Sequence, residues 1–173
     1  MKRSPLHWLS CLSLLFFLTA CGSDTTAADG DDAQPGTFTA TVTGHLSTAL
    51  SGVAAATGGA VTGGWGVVMP PGGPMSITLV LPGKNRPPTG TYPIVEGVQA
   101  LGSEDSLFFA SFSAAVGTPS FTSREGTLTI QSSSATRVAG SFSFEAMRGT
   151  VGNPEIVRVE GTFNATNTTP GGM

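Results

Sequence analysis

Histidine and cysteine are almost missing from this chain, whose 173 residues include 2 of each. The usual zinc sites take three or four such ligands, and a hydrolytic triad sets a base beside its nucleophile, so neither chemistry finds its parts here. Neither metal nor cofactor is expected. Charge is scarce as well, at 11% of residues, with 8 bases against 11 acids. The bases are scattered, and a phosphate backbone has to be met by clustered Lys and Arg; nucleic acid is not an expected partner. Low charge beside 39% hydrophobic residues also excludes a chain disordered throughout, which combines low hydrophobicity with high net charge. A folded core of one domain fits this length.

An apolar run long enough to span a bilayer is absent too. Behind a positive start at Lys2 and Arg3, Leu6 to Leu18 is apolar except at His7, Ser10 and Ser13. A helix rising ~1.5 Å per residue needs roughly 20 residues to cross a hydrocarbon core of about 30 Å. Residues 1–20 therefore read as a removable export signal. The residues that follow, Leu18-Thr19-Ala20-Cys21-Gly22, resemble the lipobox of bacterial lipoproteins, in which small residues precede a cysteine that is acylated before cleavage. The resemblance implies that Cys21 becomes the N-terminus and carries a diacylglycerol thioether and an amide-linked acyl chain. It also implies a membrane partner reached through lipid alone, since two or more chains anchor stably where one binds marginally. Gly22 occupies the position where Asp can mark inner-membrane retention in such proteins, which points to the outer membrane. With Cys11 removed and Cys21 alkylated, no disulfide or cysteine zinc site is expected. The chain from Cys21 onward then holds six bases against eleven acids, a net charge of −5.

Residues 21–36 read as an acidic flexible tether. Asp24, Asp29, Asp31 and Asp32 stand there among small and polar residues with no base and no large apolar side chain, so nothing offsets the entropy of ordering. Asp29-Gly30-Asp31-Asp32 lacks the further ligands and closing Glu of a calcium loop.

From residue 37 to 165 the pattern has period two, the mark of strands with one face in a core and one in water. Phe38, Ala40 and Val42 alternate with Thr37, Thr39, Thr41 and Thr43; Leu128 and Ile130 alternate with Thr127, Thr129 and Gln131; Val138, Gly140, Phe142, Phe144 and Ala146 share one parity. Residues 61–69, 75–81, 92–95, 107–113 and 156–164 also read as strands between Gly- and Pro-rich turns. The expected fold is all-β, an antiparallel β-sandwich or up-and-down β-barrel of about eight strands. Leu46 to Ala56 stays open between helix and strand, because alanine favours helix while Gly52, Val53 and the hydroxyl residues do not. Gly-Thr followed by a large apolar residue recurs at Gly36, Gly90, Gly126 and Gly161, and is expected to mark the start of strands. Residues 166–173 read as a disordered tail. The stretch from about 87 to 164 resembles a pattern in small bacterial lipoproteins and secreted β domains, a resemblance that brings no activity with it.

Few side chains offer chemistry. His45, the one histidine beyond the leader, sits at the end of the first strand, where a solvent-facing or capping role is the common one. Glu104-Asp105 reads as a solvated turn, and Glu96 with Glu145 is a carboxylate pair of the kind glycoside hydrolysis uses. Lys84-Asn85-Arg86 reads as a hairpin tip that an anion could touch. Trp65, between Gly64 and Gly66, is a candidate ligand-binding residue, either an exposed platform for a sugar ring or, the favoured alternative, a core residue. Gly63-Gly64-Trp65 resembles the Gly-x-Trp of lipocalins over three residues. No catalytic residue is assigned. The expectation is a non-enzymatic, lipid-anchored envelope protein with a structural or protein-interaction role, the alternative being a small-molecule or carbohydrate-binding module.

Overall fold

Alternation becomes strand throughout the domain. The computed structural model describes residues 34–59, 64–83, 85–100, 106–150 and 152–168. Among these described residues, ten strands and one helical turn follow in chain order: β1 (Thr37–Gly44), β2 (Thr48–Val53), β3 (Ala55–Gly59), β4 (Gly64–Met69), β5 (Ser76–Leu81), β6 (Gly90–Val95), α1 (Gly97–Ala100), β7 (Phe108–Ser113), β8 (Phe121–Ser133), β9 (Arg137–Thr150) and β10 (Asn153–Asn167).

Two antiparallel layers account for the pairing. One runs β2-β1-β10-β9-β8-β6 and the other β3-β4-β5-β7. Narrow bridges join them at both sides. Thr166 and Asn167 of β10 pair with Ala55 and Ala56 of β3 in parallel, while Ser111 and Phe112 of β7 pair with Thr122 and Phe121 of β8. Ile94 and Val95 of β6 pair with Phe108 and Phe109 of β7. Each bridge is two residue pairs long, whereas ladders inside the layers run from five to fourteen pairs. The molecule is thus a sandwich whose hydrogen bonds close around both corners, combining the two all-β alternatives.

The inward rows of both layers form one apolar core. Phe38, Val42, Val67, Leu79, Phe112, Leu128, Phe144 and Val159 are each at most 1% exposed. Large rings in this core face glycines on the next strand: Phe38 opposite Gly52, Phe144 opposite Gly126, Phe142 opposite Gly161, Phe163 opposite Gly140 and Trp65 opposite Gly58. A ring lying over a glycine fills the space that a side chain would otherwise take. A Cβ at Gly126 would sit 2.5 Å from Cβ of Phe144, and one at Gly161 2.8 Å from Cζ of Phe142. The recurrent Gly-Thr motif is corrected accordingly. Gly36, at φ +79°, precedes β1 and Gly90 begins β6, but Gly126 and Gly161 lie inside β8 and β10, where closeness of strands is what selects glycine.

All eight expected strands form, and the two additional ones come from the segment left open and the three residues after it. Residues 48–59 make one course that pairs with β1, breaks at Ala54, and continues as β3 in the other layer. Ala54 is 0% exposed, donates to Gly36 O at 2.8 Å and accepts from Thr166 N at 3.2 Å. Alanine is fully buried at this crossing, and its helix preference is overridden by the strand pairing on either side. The expected end of the domain at residue 165 also shifts, since β10 runs to Asn167 and is held there by β3. Of the tether, Gln34 to Gly36 form a turn, with Thr37 Oγ1 donating to Gln34 O at 2.6 Å; residues 21–33, like 169–173, lie outside the described residues.

Candidate binding surface

Strand register decides what the outer face of the six-stranded layer presents. Thr39 stands opposite Ser51 on β2 and Thr162 on β10. Thr162 stands opposite Ser141, Ser141 opposite Thr129, and Thr129 opposite Thr91. One straight row across six strands therefore carries a hydroxyl at every position. Thr39 Oγ1 and Thr162 Oγ1 are 3.2 Å apart, and Thr91 Oγ1 and Thr129 Oγ1 are 3.4 Å apart.

The next two rows add charge. Ala49, Thr41, Glu160, Ser143, Thr127 and Pro93 form one; Thr43, Arg158, Glu145, Glu125 and Val95 form the other. Glu125 and Glu145 are directly opposed, an unfavourable pairing of like charges that Arg124 relieves by bonding Glu145 Oε1 at 3.2 Å. Arg158 pairs with Glu160. Ser143 Oγ donates to Glu160 Oε1 at 3.3 Å and accepts from Arg158 Nη2 at 3.4 Å. Two grooves meet along this network. One, of about 400 Å³, is lined by Glu125, Thr127, Ser143, Glu145 and Arg158; the other, of about 440 Å³, by Thr39, Thr41, Ser51, Glu160 and Thr162. Gly126 and Gly161 also line them.

A second cluster closes one end of the same layer. Gly44, at φ +101°, turns the chain so that His45 N donates to Ile156 O at 2.8 Å. His45 Nε2 then lies 3.4 Å from Glu155 Oε2, to which Arg148 Nε also donates. The Arg148 guanidinium carbon sits 4.3 Å above the centre of the Phe121 ring, a cation–π contact. The hydrogen bond from Arg148 holds the Glu155 carboxyl below the usual glutamate range; burial opposes this, and the positive charges of Arg148 and His45 reinforce it. A carboxyl depressed in the folded state stabilises the protein fully above its unfolded pKa of about 4.3, and that contribution is lost as pH falls through the folded value. Glu155→Gln is accordingly expected to flatten the acid limb of a plot of melting temperature against pH. A variant whose acid limb matches that of the parent, below about pH 4.3, would contradict the assignment.

The residues singled out in the sequence fare unequally. Trp65 is 2% exposed, with its ring 6.3 Å from Phe108 in an edge-to-face contact. It belongs to the core, and the external-platform alternative is overturned by its inward parity with Val67 and Met69. Its Nε1 has no hydrogen-bond partner among the described residues. Tyr92 packs on the same Phe108 ring at 5.5 Å and donates to Pro88 O at 2.8 Å, and burial pushes its hydroxyl above the usual tyrosine range. His45 is solvent-facing at the end of β1, as expected. Glu96 and Glu145 are not brought together: Val95 is opposite Glu125, which is opposite Glu145, so two strand spacings intervene. Asn85 and Arg86 are exposed; Cys21, Lys84, Glu104 and Asp105 lie outside the described residues. Asn164, in the sequon Asn164-Ala165-Thr166, is 0% exposed and so out of reach of glycosylation.

Sequence reasoning missed the hydroxyl row and the Arg148–Glu155 pair. The alternating threonines of residues 37–43 and 127–129 were signal enough to place hydroxyls outside, but aligning them requires the register. Arg148 and Glu155 flank a hairpin turn at equal offset, which inspection of the β9–β10 connection would have revealed. No family model, curated protein or solved structure matches this chain at a significant level.

Proposed function

We propose that this chain is a lipid-anchored protein of the bacterial cell envelope, held at the outer membrane through Cys21, whose β domain acts by contact with another envelope component and not by catalysis. Its working surface is the outer face of the six-stranded layer. The observation that carries the binding role is the row Ser51-Thr39-Thr162-Ser141-Thr129-Thr91, six hydroxyls on six neighbouring strands. Beside them the charged side chains pair as Arg124 with Glu145 and Arg158 with Glu160, each keeping exposed donor or acceptor sites. Groups arranged this way present a fixed hydrogen-bonding pattern. An activated nucleophile, by contrast, needs a neighbouring base, and His45 is occupied at the far end with Glu155.

Support for the anchor comes from Leu18-Thr19-Ala20-Cys21-Gly22. A coil as long as residues 22–33 has a mean reach of roughly 20 Å, enough to clear lipid headgroups. Intact-mass spectrometry of protein from native membranes tests this directly. A chain beginning at Cys21 with the added mass of a diacylglycerol and a further acyl group is expected, and Cys21→Ser should leave the membrane fraction. Recovery of a chain that keeps residues 1–20, or has no hydrocarbon adduct, would overturn the proposal.

A further inference from the structure

The chemistry of the outer face narrows the class of partner. Strands are about 4.8 Å apart, so the hydroxyl row is a track of roughly 24 Å with a donor and acceptor at each step. Among the described residues, Thr39–Thr162 and Thr91–Thr129 lie within bonding distance along it, and even those pairs leave lone pairs and a proton for an outside group. Threonine and serine are short, so a ligand lying on them would touch the row along its length. The adjoining grooves add carboxylates and a guanidinium at Glu125, Glu145, Glu160 and Arg158, planar groups able to bond two neighbouring hydroxyls at once.

Complementarity excludes most other occupants. Protein partners are gripped by aromatic or arginine anchors buried at the centre of an interface, and no aromatic side chain stands in these three rows. Nucleic acid requires an excess of bases, and here three acids accompany Arg124 and Arg158. An acyl chain carries nothing to pair with the carboxylates and guanidinium beside the row, which would lose water beneath it without compensation. A polymer dense in hydroxyls and ring oxygens, without net charge, matches row and grooves together.

We propose that the outer face of the six-stranded layer binds a neutral polysaccharide laid across the strands along Ser51, Thr39, Thr162, Ser141, Thr129 and Thr91. This deepens the binding role given above and rests on it. The full chain, purified in detergent, is mixed with insoluble cellulose, chitin, β-1,3-glucan and starch, and the pelleted fraction is measured. Retention by at least one polymer is expected, released by its soluble oligosaccharide. The double substitution Thr39→Val with Thr162→Val keeps shape and strand preference while removing two hydroxyls, and should weaken binding tenfold or more without lowering the melting temperature. Thr78→Val, on the outer side of the four-stranded layer, should bind as the parent does. If the first pair impairs folding, Ser141→Ala with Thr129→Val interrogates the same row from β9 and β8. Failure of all four polymers to retain the protein, or equal retention of a folded row variant, would overturn the polysaccharide assignment. The acylation measurement stands apart from both outcomes, so loss of the partner class and loss of the anchored-module reading are distinguishable.

Discussion

Replacing Gly140 by alanine should cost about 3 kcal/mol of folding stability, a large effect for adding one methyl group. The added Cβ would lie 2.1 Å from the carbonyl oxygen of Thr129, 3.1 Å from its carbonyl carbon and 3.2 Å from Cα of Ile130. All three are backbone atoms of β8, so no rotamer change relieves the overlap. Movement of β8 is also resisted, because its ladder with β9 is already irregular between Ile130 and Ser132, and a second distortion there would break further pairs. On the opposite side, β10 places Phe163 against the same glycine. The strand thus has no direction in which to retreat. Gly73→Ala is the matched control: no atom lies within 4 Å of its new methyl. A compatible Gly→Ala change is neutral or stabilises by about 0.4–1 kcal/mol through the unfolded chain. Urea unfolding of the three proteins measures the difference, and a Gly140→Ala midpoint close to that of the parent would show that the strands separate more easily than their packing implies.

That glycine also illustrates how far the sequence could be read. Parity alone placed Phe142, Phe144 and Ala146 on the inner face with Gly140, and they are buried there, because a half-buried strand imposes a strict period of two. Parity says nothing about which strand lies alongside, so the facing of Gly140 by Phe163 could not be foreseen. The same limit hid the hydroxyl row: Thr39, Thr162 and Thr129 were each legible as outward-facing, yet their alignment is a property of register between segments up to 123 residues apart. Ala54 and Ala56 misled for a different reason. Local propensity treats alanine as a helix former, while here it marks the buried place where a strand passes between layers. The split of the pairing into two layers with two-pair corners was likewise invisible, which is why sandwich and barrel stood as equals in the sequence.

Phe163→Ala should destabilise the protein by about 3–5 kcal/mol, as expected when a buried ring is removed and the cavity cannot collapse. Phe163 is 0% exposed and its ring lies 6.3 Å from that of Phe142. Three features prevent collapse at this point. β10 is paired along both edges here, with Phe38 of β1 opposite Phe163 on one side and Gly140 of β9 on the other. Its end is fixed three residues later by the bridge to β3. Gly140 has no side chain with which to fill the void. Phe163→Leu leaves most of the volume in place and should cost clearly less than the alanine variant, the gap between the two reporting the cavity and not the loss of aromatic character. Because Thr162 precedes this ring on the same strand, the alanine variant should also blunt any binding at the outer row in proportion to the unfolded fraction, while the leucine variant binds normally. If denaturant titration gave equal losses for both substitutions, the interior would be relaxing around β10, and the closed two-layer architecture would be looser at its central strand than its ladders indicate.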